Sequence, residues 1–291
     1  MTVASIRTHT RACVIALVSA VVLTSVSATS GVQAQRDRDR SESRDGRDQE
    51  QDNAFTWSGT IGAGKRALVK NINGAIHVER STSGKVEITA IKQWRRGNPE
   101  DVRIEQKMTV NGDVVVCALW SPEAHCDENG IHTDERHRNW NDRNDVSVRF
   151  TVRVPDGVRV DITTVNGALE VSGVSNEVRA ATVNGSINAL SAGGPVRATT
   201  VNGSIHVSMG SLGSADDLEY ETINGSVTVE LPGNFGAQLD MSTVNGRVST
   251  DFPITVSGTL SPKRLRGTVG NGATRMRIST VNGSITLRKR E

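Results

Sequence analysis

Aromatic residues are scarce in this sequence, which limits the kind of core that the chain can build. Phe, Trp and Tyr together make up 3% of the 291 residues, whereas glycine occurs 28 times. The formal net charge is only +2, so no strong electrostatic field selects nucleic acid or an acidic membrane as a partner. Little aromatic bulk, many β-branched residues and frequent glycine favour a thin, repetitive β architecture over a wide globular core.

The chain begins with an apolar stretch that is too short to cross a membrane comfortably. This stretch, Val14–Val26, follows Arg7 and Arg11 and precedes the small residues that end at Ala34, whereas a membrane span needs about 20 apolar residues. The pattern is typical of a cleaved signal peptide. We therefore predict a signal peptide over residues 1–34, no transmembrane helix after cleavage, and a protein exported to the periplasm, the cell surface or the medium.

The next segment contains almost nothing apolar and alternates Arg with Asp and Glu. Such a segment buries too little surface to offset the entropy of ordering it. The sequence predicts a disordered charged linker over residues 35–54 and a single domain over residues 55–291.

Cysteine is also rare, with three residues in the chain. Cys13 falls within the predicted signal peptide, so the mature chain keeps Cys117 and Cys126. Because export places this pair in an oxidising compartment, we expect a disulfide between them. The pair stands at the start of an insertion, at about residues 117–145, that interrupts an otherwise regular repeat.

The dominant feature of the sequence is a short motif of the type Thr-Val-Asn-Gly that occurs eight times. Asparagines 166 to 245 are spaced by 18, 18, 22 and 21 residues, which predicts coils of roughly 20 residues. The outer gaps of 38 and 37 residues indicate two repeats each, with one degraded signature. Because Asn-Gly tolerates positive φ, each copy predicts a tight structural turn. The turn residues are Asn73, Gly74, Asn111, Gly112, Asn166, Gly167, Asn184, Gly185, Asn202, Gly203, Asn224, Gly225, Asn245, Gly246, Asn282 and Gly283.

Apolar residues alternate on both sides of each motif, which indicates strands with one buried face. Two all-β architectures fit. A hairpin at Asn202-Gly203 would lead to a β-sandwich, but it would place Val201 on a polar face. A β-solenoid corner would bury this apolar position in every copy, provided that the chain bends at the preceding Thr-Thr or Ser-Thr step. We therefore predict a β-solenoid, with the hairpin-based β-sandwich as the alternative.

The repeated Thr-Val-Asn-Gly-Ser-Ile turns, and the C-terminal Gly267-Thr268-Val269-Gly270-Asn271-Gly272 that precedes the last of them, resemble the adhesin-like family DUF4097, which is related to adhesin head GIN domains. The resemblance covers about residues 55 to 289. It implies an all-β, single-stranded, right-handed β-helix in bacterial envelope or secreted proteins. No catalytic residues are attached to the family, so none are carried over to this chain.

The insertion contains the residues richest in possible chemistry, including His125, His132 and His137. Their spacing is not that of a structural zinc site, and we predict no metal, cofactor or catalytic residue. Trp94, Trp120 and Trp140 could stack on sugar rings or form a small core under the insertion. The carboxylate pair Glu219 and Glu221 alternates with apolar residues, as on the outward face of a strand.

These observations lead to three hypotheses about function. The first is a non-enzymatic, adhesin-like repeat protein that binds an unknown protein or glycan at the cell envelope, or acts as a scaffold there. The second is a polysaccharide-active enzyme built on a β-helix, and the third is an envelope-stress sensor domain. The repeat itself is structural in all three, because the architecture of a fold does not determine its function.

Overall fold

The computed structural model describes residues 54–133, 144–191, 193–212, 217–256 and 261–290. All of them belong to one compact unit, Asp45–Glu291. The predicted signal peptide and the predicted linker up to residue 53 lie outside the described residues. In the part of the chain that is described, no helix is long and apolar enough to span a membrane.

The described residues form 23 β-strands and one short 3-10 helix, Pro99–Asp101. In the first half of the chain the strands are β1 (Ala54–Gly59), β2 (Arg66–Lys70), β3 (Ile76–Arg80), β4 (Val86–Gln93), β5 (Arg103–Met108), β6 (Val114–Leu119), β7 (His125–Cys126), β8 (Ile131–His132), β9 (Ser147–Val154), β10 (Arg159–Thr163), β11 (Leu169–Ser172) and β12 (Val178–Ala181). In the second half they are β13 (Ile187–Ser191), β14 (Val196–Thr199), β15 (Ile205–Met209), β16 (Asp217–Glu221), β17 (Val227–Leu231), β18 (Ala237–Asn245), β19 (Val248–Thr250), β20 (Thr255–Val256), β21 (Arg264–Val269), β22 (Thr274–Asn282) and β23 (Ile285–Lys289).

The strands build two large sheets and one small hairpin. Sheet A has the order β1-β4-β9-β3-β11-β13-β15-β17-β23-β19, and sheet B has the order β20-β21-β18-β22-β16-β14-β12-β10-β2-β6-β5. The hairpin is β7-β8. The inward residues of both large sheets form one continuous core, which consists mostly of Val, Ile, Leu and Ala. Tyr220 and Phe150 are its largest fully buried side chains.

The middle of the molecule is a regular stack of parallel coils. Each coil runs along one strand of sheet B, turns at an Asn-Gly corner, and continues along one strand of sheet A. Equivalent residues stack in register, as in Val178 beside Val196 in sheet B and Ile187 beside Ile205 in sheet A. This arrangement confirms the prediction of an all-β solenoid, and the hairpin-based sandwich is wrong for these coils.

At both ends of the stack, order in space departs from order along the chain. The coil β22–β23 lies between the coils β16–β17 and β18–β19. At the opposite end, β6 and β9 pair outside β2 and β3, which precede them in sequence. The expectation that the long outer gaps contain degraded coils is wrong. These gaps contain antiparallel strands, β4 and β5 in the first and β20 and β21 in the second.

Candidate binding surface

The Asn-Gly corners of seven coils stack into one straight edge of the solenoid, where the side-chain amides form a ladder. Each amide Nδ2 donates to the Oδ1 of the neighbouring asparagine at 2.7 or 2.8 Å. We call this row the asparagine ladder; in spatial order it consists of Asn73, Asn166, Asn184, Asn202, Asn224, Asn282 and Asn245.

The asparagine ladder has a direction, because every Nδ2 donates toward the same end. Asn73 at one end only accepts a ladder bond, and Asn245 at the other end only donates one. Each interior asparagine such as Asn202 does both. A substitution that removes only the donor therefore has different consequences at the two ends.

A row of buried threonines runs beside the asparagine ladder, and it was not recognised from the sequence. The hydroxyl of Thr200 donates to the carbonyl of Gly185 in the neighbouring coil at 2.9 Å. Equivalent bonds of 2.8 to 3.1 Å are made by Thr164, Thr182, Thr222, Thr243 and Thr280. Because each hydroxyl satisfies a carbonyl at a tight corner, threonine suits this position better than valine. The repetition of threonine at the first position of the motif is the sequence feature that indicates this row.

The apolar residue before each asparagine was expected to be buried, and this expectation is wrong. Val201 is half-exposed, and Ile223, Val281 and Val244 expose 41%, 39% and 55% of their surface. The reason is that the alternation of the sheet B strand continues through the threonine, so that Thr200 points inward. Every second residue points inward, and the change in which of the two alternating sets does so occurs across the Val-Asn-Gly corner and not at the Thr-Thr step.

The result is a row of partly or fully exposed β-branched side chains, which we call the corner ridge. Equivalent residues of adjacent coils stack about 4.8 Å apart, so each side chain partly covers the next. The corner ridge consists of Ile72, Val165, Val183, Val201, Ile223, Val281 and Val244.

Little charge surrounds the corner ridge. On the sheet B side its neighbours are a column of small or hydroxyl residues that is interrupted by Glu221 and ends at Lys70: Thr163, Ala181, Thr199, Ser279 and Ser242. Beyond the asparagine ladder, serines stack through backbone bonds such as the one from Ser204 N–H to the Ser186 hydroxyl, 3.3 Å, and Arg247 occupies the equivalent position in one end coil. The edge therefore presents a long, narrow strip with few charges and a regular repeat.

At most of these corners glycine is required for space and not for a left-handed backbone. Gly203 does not have a positive φ. A Cβ placed on Gly203 would lie 2.0 Å from the carbonyl oxygen of Gly185 in the adjacent coil. The corresponding Cβ on Gly225 would meet the carbonyl oxygen of Gly203 in the same way. The expected positive φ does occur at Gly74, Gly112 and Gly283, with values of +121°, +79° and +158°.

One of the eight motifs is not a solenoid corner. Asn111 and Gly112 lie in the hairpin between the antiparallel strands β5 and β6, closed by a bond from Thr109 N–H to the Asp113 carbonyl, 2.8 Å. Val110 is fully exposed there. The hairpin interpretation thus holds for this copy, because the two flanking strands pair with each other.

The predicted cysteine pair lies at disulfide-bonding distance, with 6.4 Å between the Cα atoms of Cys117 and Cys126. Cys117 belongs to β6, and its side chain points away from the main core. With Leu68, Val115, Leu119 and other buried residues, the pair forms a second, smaller core on the outer face of sheet B. The start of the insertion therefore folds down onto the sheet at this point.

Non-reducing peptide mapping of the exported protein should recover the peptides of Cys117 and Cys126 as one linked species. Reduction should separate them, since the link that we expect is a single disulfide. Labelling with a thiol reagent after denaturation without a reductant supplies the control, because both cysteines are buried in the folded protein. Two alkylated thiols in the unreduced protein would contradict the disulfide.

The hairpin β7-β8 carries the histidines of the insertion that the structure describes. His125 and His132 stack at 5.2 Å between ring centroids, and His132 Nε2 lies 3.0 Å from Asp127. Burial acts to raise the pKa of Asp127, but hydrogen bonds from His132 and from the backbone of Asn129 and Gly130 outweigh it and lower the pKa to about 2. The Asp127 carboxylate is therefore ionised near neutral pH and accepts hydrogen bonds from the turn between β7 and β8.

The other candidate residues of the insertion are not gathered into one site. Trp120 packs against the main core and its Nε1 donates to the Val146 carbonyl at 3.3 Å, whereas Trp94 is 39% exposed. His137 and Trp140 lie outside the described residues. Among the residues described, no three His, Cys, Asp or Glu side chains converge as metal ligands.

A charged cleft of about 300 Å³ lies on the outer face of sheet B. Asp113 is almost buried there and is paired with Arg66 at 2.8 Å. Burial acts to raise the pKa of Glu177, but the neighbouring arginines outweigh it and lower that pKa; they are Arg179, Arg197 and Arg159. A carboxyl group held ionised in this way is a poor proton donor near neutral pH.

Glu219 and Glu221 lie on the outward face of β16, as predicted from their alternation. Asp217, on the same strand, pairs with Arg275 at 2.9 Å. These outward carboxylates form part of the charged surface of sheet B and are not set across a cleft.

The solved structures that this chain resembles include three of low sequence identity. A proposed cell adhesion protein from Clostridium sporogenes is 11% identical, with 81% of this chain and 100% of that chain covered at a TM-score of 0.37. Proposed adhesins from Bacteroides fragilis and Parabacteroides merdae are 15% and 14% identical. They cover 80% and 82% of this chain, and 96% and 97% of their own chains, at TM-scores of 0.25 and 0.18.

No protein of curated function matches the sequence. The family described as Toastrack DUF4097 matches residues 78–288, a range that includes seven of the eight motifs and all the regular coils from β10 onward. The chain therefore belongs to the Toastrack DUF4097 family.

Proposed function

We propose that this protein is an exported, non-enzymatic, adhesin-like repeat protein that binds a ligand at the cell envelope along the corner ridge. The observation that carries this proposal is the row of seven stacked β-branched side chains, three exposed and four partly exposed, on an edge with few charges. The outer face of sheet B, in contrast, is densely charged. A long apolar row beside polar groups is typical of interaction surfaces on soluble proteins.

The asparagine ladder adds hydrogen-bonding capacity beside the apolar row. Each interior amide uses one N–H and one acceptor site within the ladder, which leaves its second N–H and a lone pair for a ligand. A ligand that lies along the edge would thus meet apolar contacts and hydrogen-bonding groups in a fixed, repeated order. This regularity favours an extended ligand, such as a glycan chain or an extended polypeptide, and not a compact one.

Lysine substitutions on the corner ridge should weaken binding to isolated cell envelopes, or to any glycan retained on an array, by about tenfold or more, because each desolvates a charge against an apolar surface. Val183→Lys combined with Val201→Lys places this change in the middle of the ridge. Leu190→Lys is the matched control: Leu190 is also exposed, at 47%, but lies on the outer face of sheet A.

Equal binding by the ridge variant and the Leu190→Lys control would reject the corner ridge as the binding surface. The same glycans should be incubated with the protein and their products analysed for new reducing or unsaturated ends. Turnover that disappears when one carboxylate is replaced would overturn the non-enzymatic proposal in favour of a polysaccharide-active enzyme.

A further inference from the structure

The four outer edges of the two sheets differ in how well they are protected against pairing with another strand. In the described part of the chain, β19 and β20 are only three and two residues long. The third edge strand, β5, is longer but carries Arg103, Glu105 and Lys107. Short length and charge are the usual protections of a sheet edge. The fourth edge strand, β1, has six residues, Ala54–Gly59, without a charge or a proline.

β1 also carries an unusual share of the aromatic side chains. The sequence contains only four Trp, one Tyr and four Phe, and two of these, Phe55 and Trp57, lie on this strand. Both face the main core, pack against it and stay half-buried. Thr56 and its neighbours on the other face are exposed. The apolar core is therefore partly open at the edge where β1 lies.

We propose that β1 pairs in antiparallel fashion with β1 of a second copy of this chain, about a two-fold axis through Thr56. Directly opposite residues of an antiparallel pair lie on the same face of the sheet. A two-fold axis at Thr56 therefore sets Phe55 opposite Trp57 of the second copy, on the core face of the joined sheet. Ala54 and Ser58 meet on the outer face.

Several properties of β1 fit a second copy of itself. Because β1 carries no charge, pairing with a second copy desolvates no ionised side chain of the strand. Aromatic pairs across strands stabilise a sheet beyond the area that they bury. The other three edge strands among the described residues are two or three residues long or carry a row of charges. A two-fold interface also closes the assembly at a dimer and does not propagate a fibre.

Sedimentation velocity of the mature full-length protein over a range of concentrations tests this interface. We expect a reversible dimer, and Thr56→Lys should raise its dissociation constant by about tenfold or more, because the two lysines would face each other across the axis. Thr89→Lys is the matched control, since Thr89 is the β4 neighbour of Thr56 within the same sheet but away from the edge.

A cysteine at the axis provides a second readout that does not depend on dimer strength. Thr56→Cys should form an intermolecular disulfide under mild oxidation, whereas Thr89→Cys should remain monomeric on a non-reducing gel. A protein that is monomeric at all concentrations and gives no Thr56→Cys cross-link would overturn the proposal. A dimer that Thr56→Lys leaves intact would also overturn it, because the interface would then lie elsewhere.

Discussion

Replacing Gly203 with alanine should lower the free energy of unfolding by about 2 to 3 kcal/mol, the cost typical of forcing extra volume into a packed site. The new Cβ would meet the carbonyl oxygen of Gly185 at 2.0 Å. Relief would require the two coils to separate locally, which would weaken the bonds made by Thr200 and Asn202 at the same corner. Chemical denaturation followed by circular dichroism measures the change.

Two further variants separate crowding from backbone conformation. Gly62 lies in a loop without a positive φ, where a Cβ would have room, 3.6 Å from the nearest atom. Gly62→Ala should therefore be neutral, or stabilise by about 0.5 kcal/mol through the unfolded state. Gly203→Asn should be at least as harmful as Gly203→Ala. If asparagine restored stability, a left-handed corner would be the true reason for glycine, since asparagine tolerates that conformation better than alanine.

Local rules account for the part of the fold that the sequence predicts. Alternation around residues such as Ile205 and Val207 indicates strands, and the spacing of the asparagines indicates coils of about 20 residues. Both depend only on neighbours along the chain and on the equivalent position in the next coil. The prediction of a solenoid therefore needed no knowledge of long-range pairing in the regular part of the stack.

The apolar pattern alone did not predict the point in each motif at which the inward-facing set of alternating residues changes. Thr200 and Val201 are both compatible with an inward position by size, and valine is the more apolar of the two. Threonine is buried because its hydroxyl can satisfy the carbonyl of Gly185, which valine cannot do. A buried carbonyl without a partner would cost about 1 to 3 kcal/mol, so hydrogen bonding at the corner decides which residue becomes exposed.

The order of the coils at the two ends also requires information that the motif does not contain. Asn111 has the same local sequence as Asn202, yet it lies in a hairpin because β5 and β6 pair with each other. Likewise Asn282 stacks on Asn224 ahead of Asn245, although it comes later in the chain. These choices depend on antiparallel strands, such as β21, whose partners are distant in sequence.

Asn202→Asp should lower the free energy of unfolding by about 1 to 2 kcal/mol at pH 7, whereas Asn73→Asp should be close to neutral. The reason is the direction of the asparagine ladder. In the unsubstituted protein, Asn202 Nδ2 donates to Asn184 Oδ1 at 2.8 Å. Aspartate at position 202 lacks this donor and places a carboxylate oxygen against the Asn184 Oδ1 instead. Aspartate at position 73 still accepts the bond from Asn166, which becomes charge-assisted.

Asn245→Asp is the matched control, because Asn245 and Asn73 both lie at an end of the ladder and both make one ladder bond. Asn245 is the donor of its bond, whereas Asn73 is the acceptor. Asn245→Asp should therefore cost more than Asn73→Asp. Facing an acceptor raises the folded-state pKa of the new carboxyl above its usual value of about 3.9. The folded Asn202→Asp and Asn245→Asp variants then bind a proton more readily than their unfolded chains, so their deficits should shrink as the pH falls toward about 4. Equal costs at positions 73 and 245 would mean that the amides have no common direction, and the ladder would then act only through the packing of its side chains.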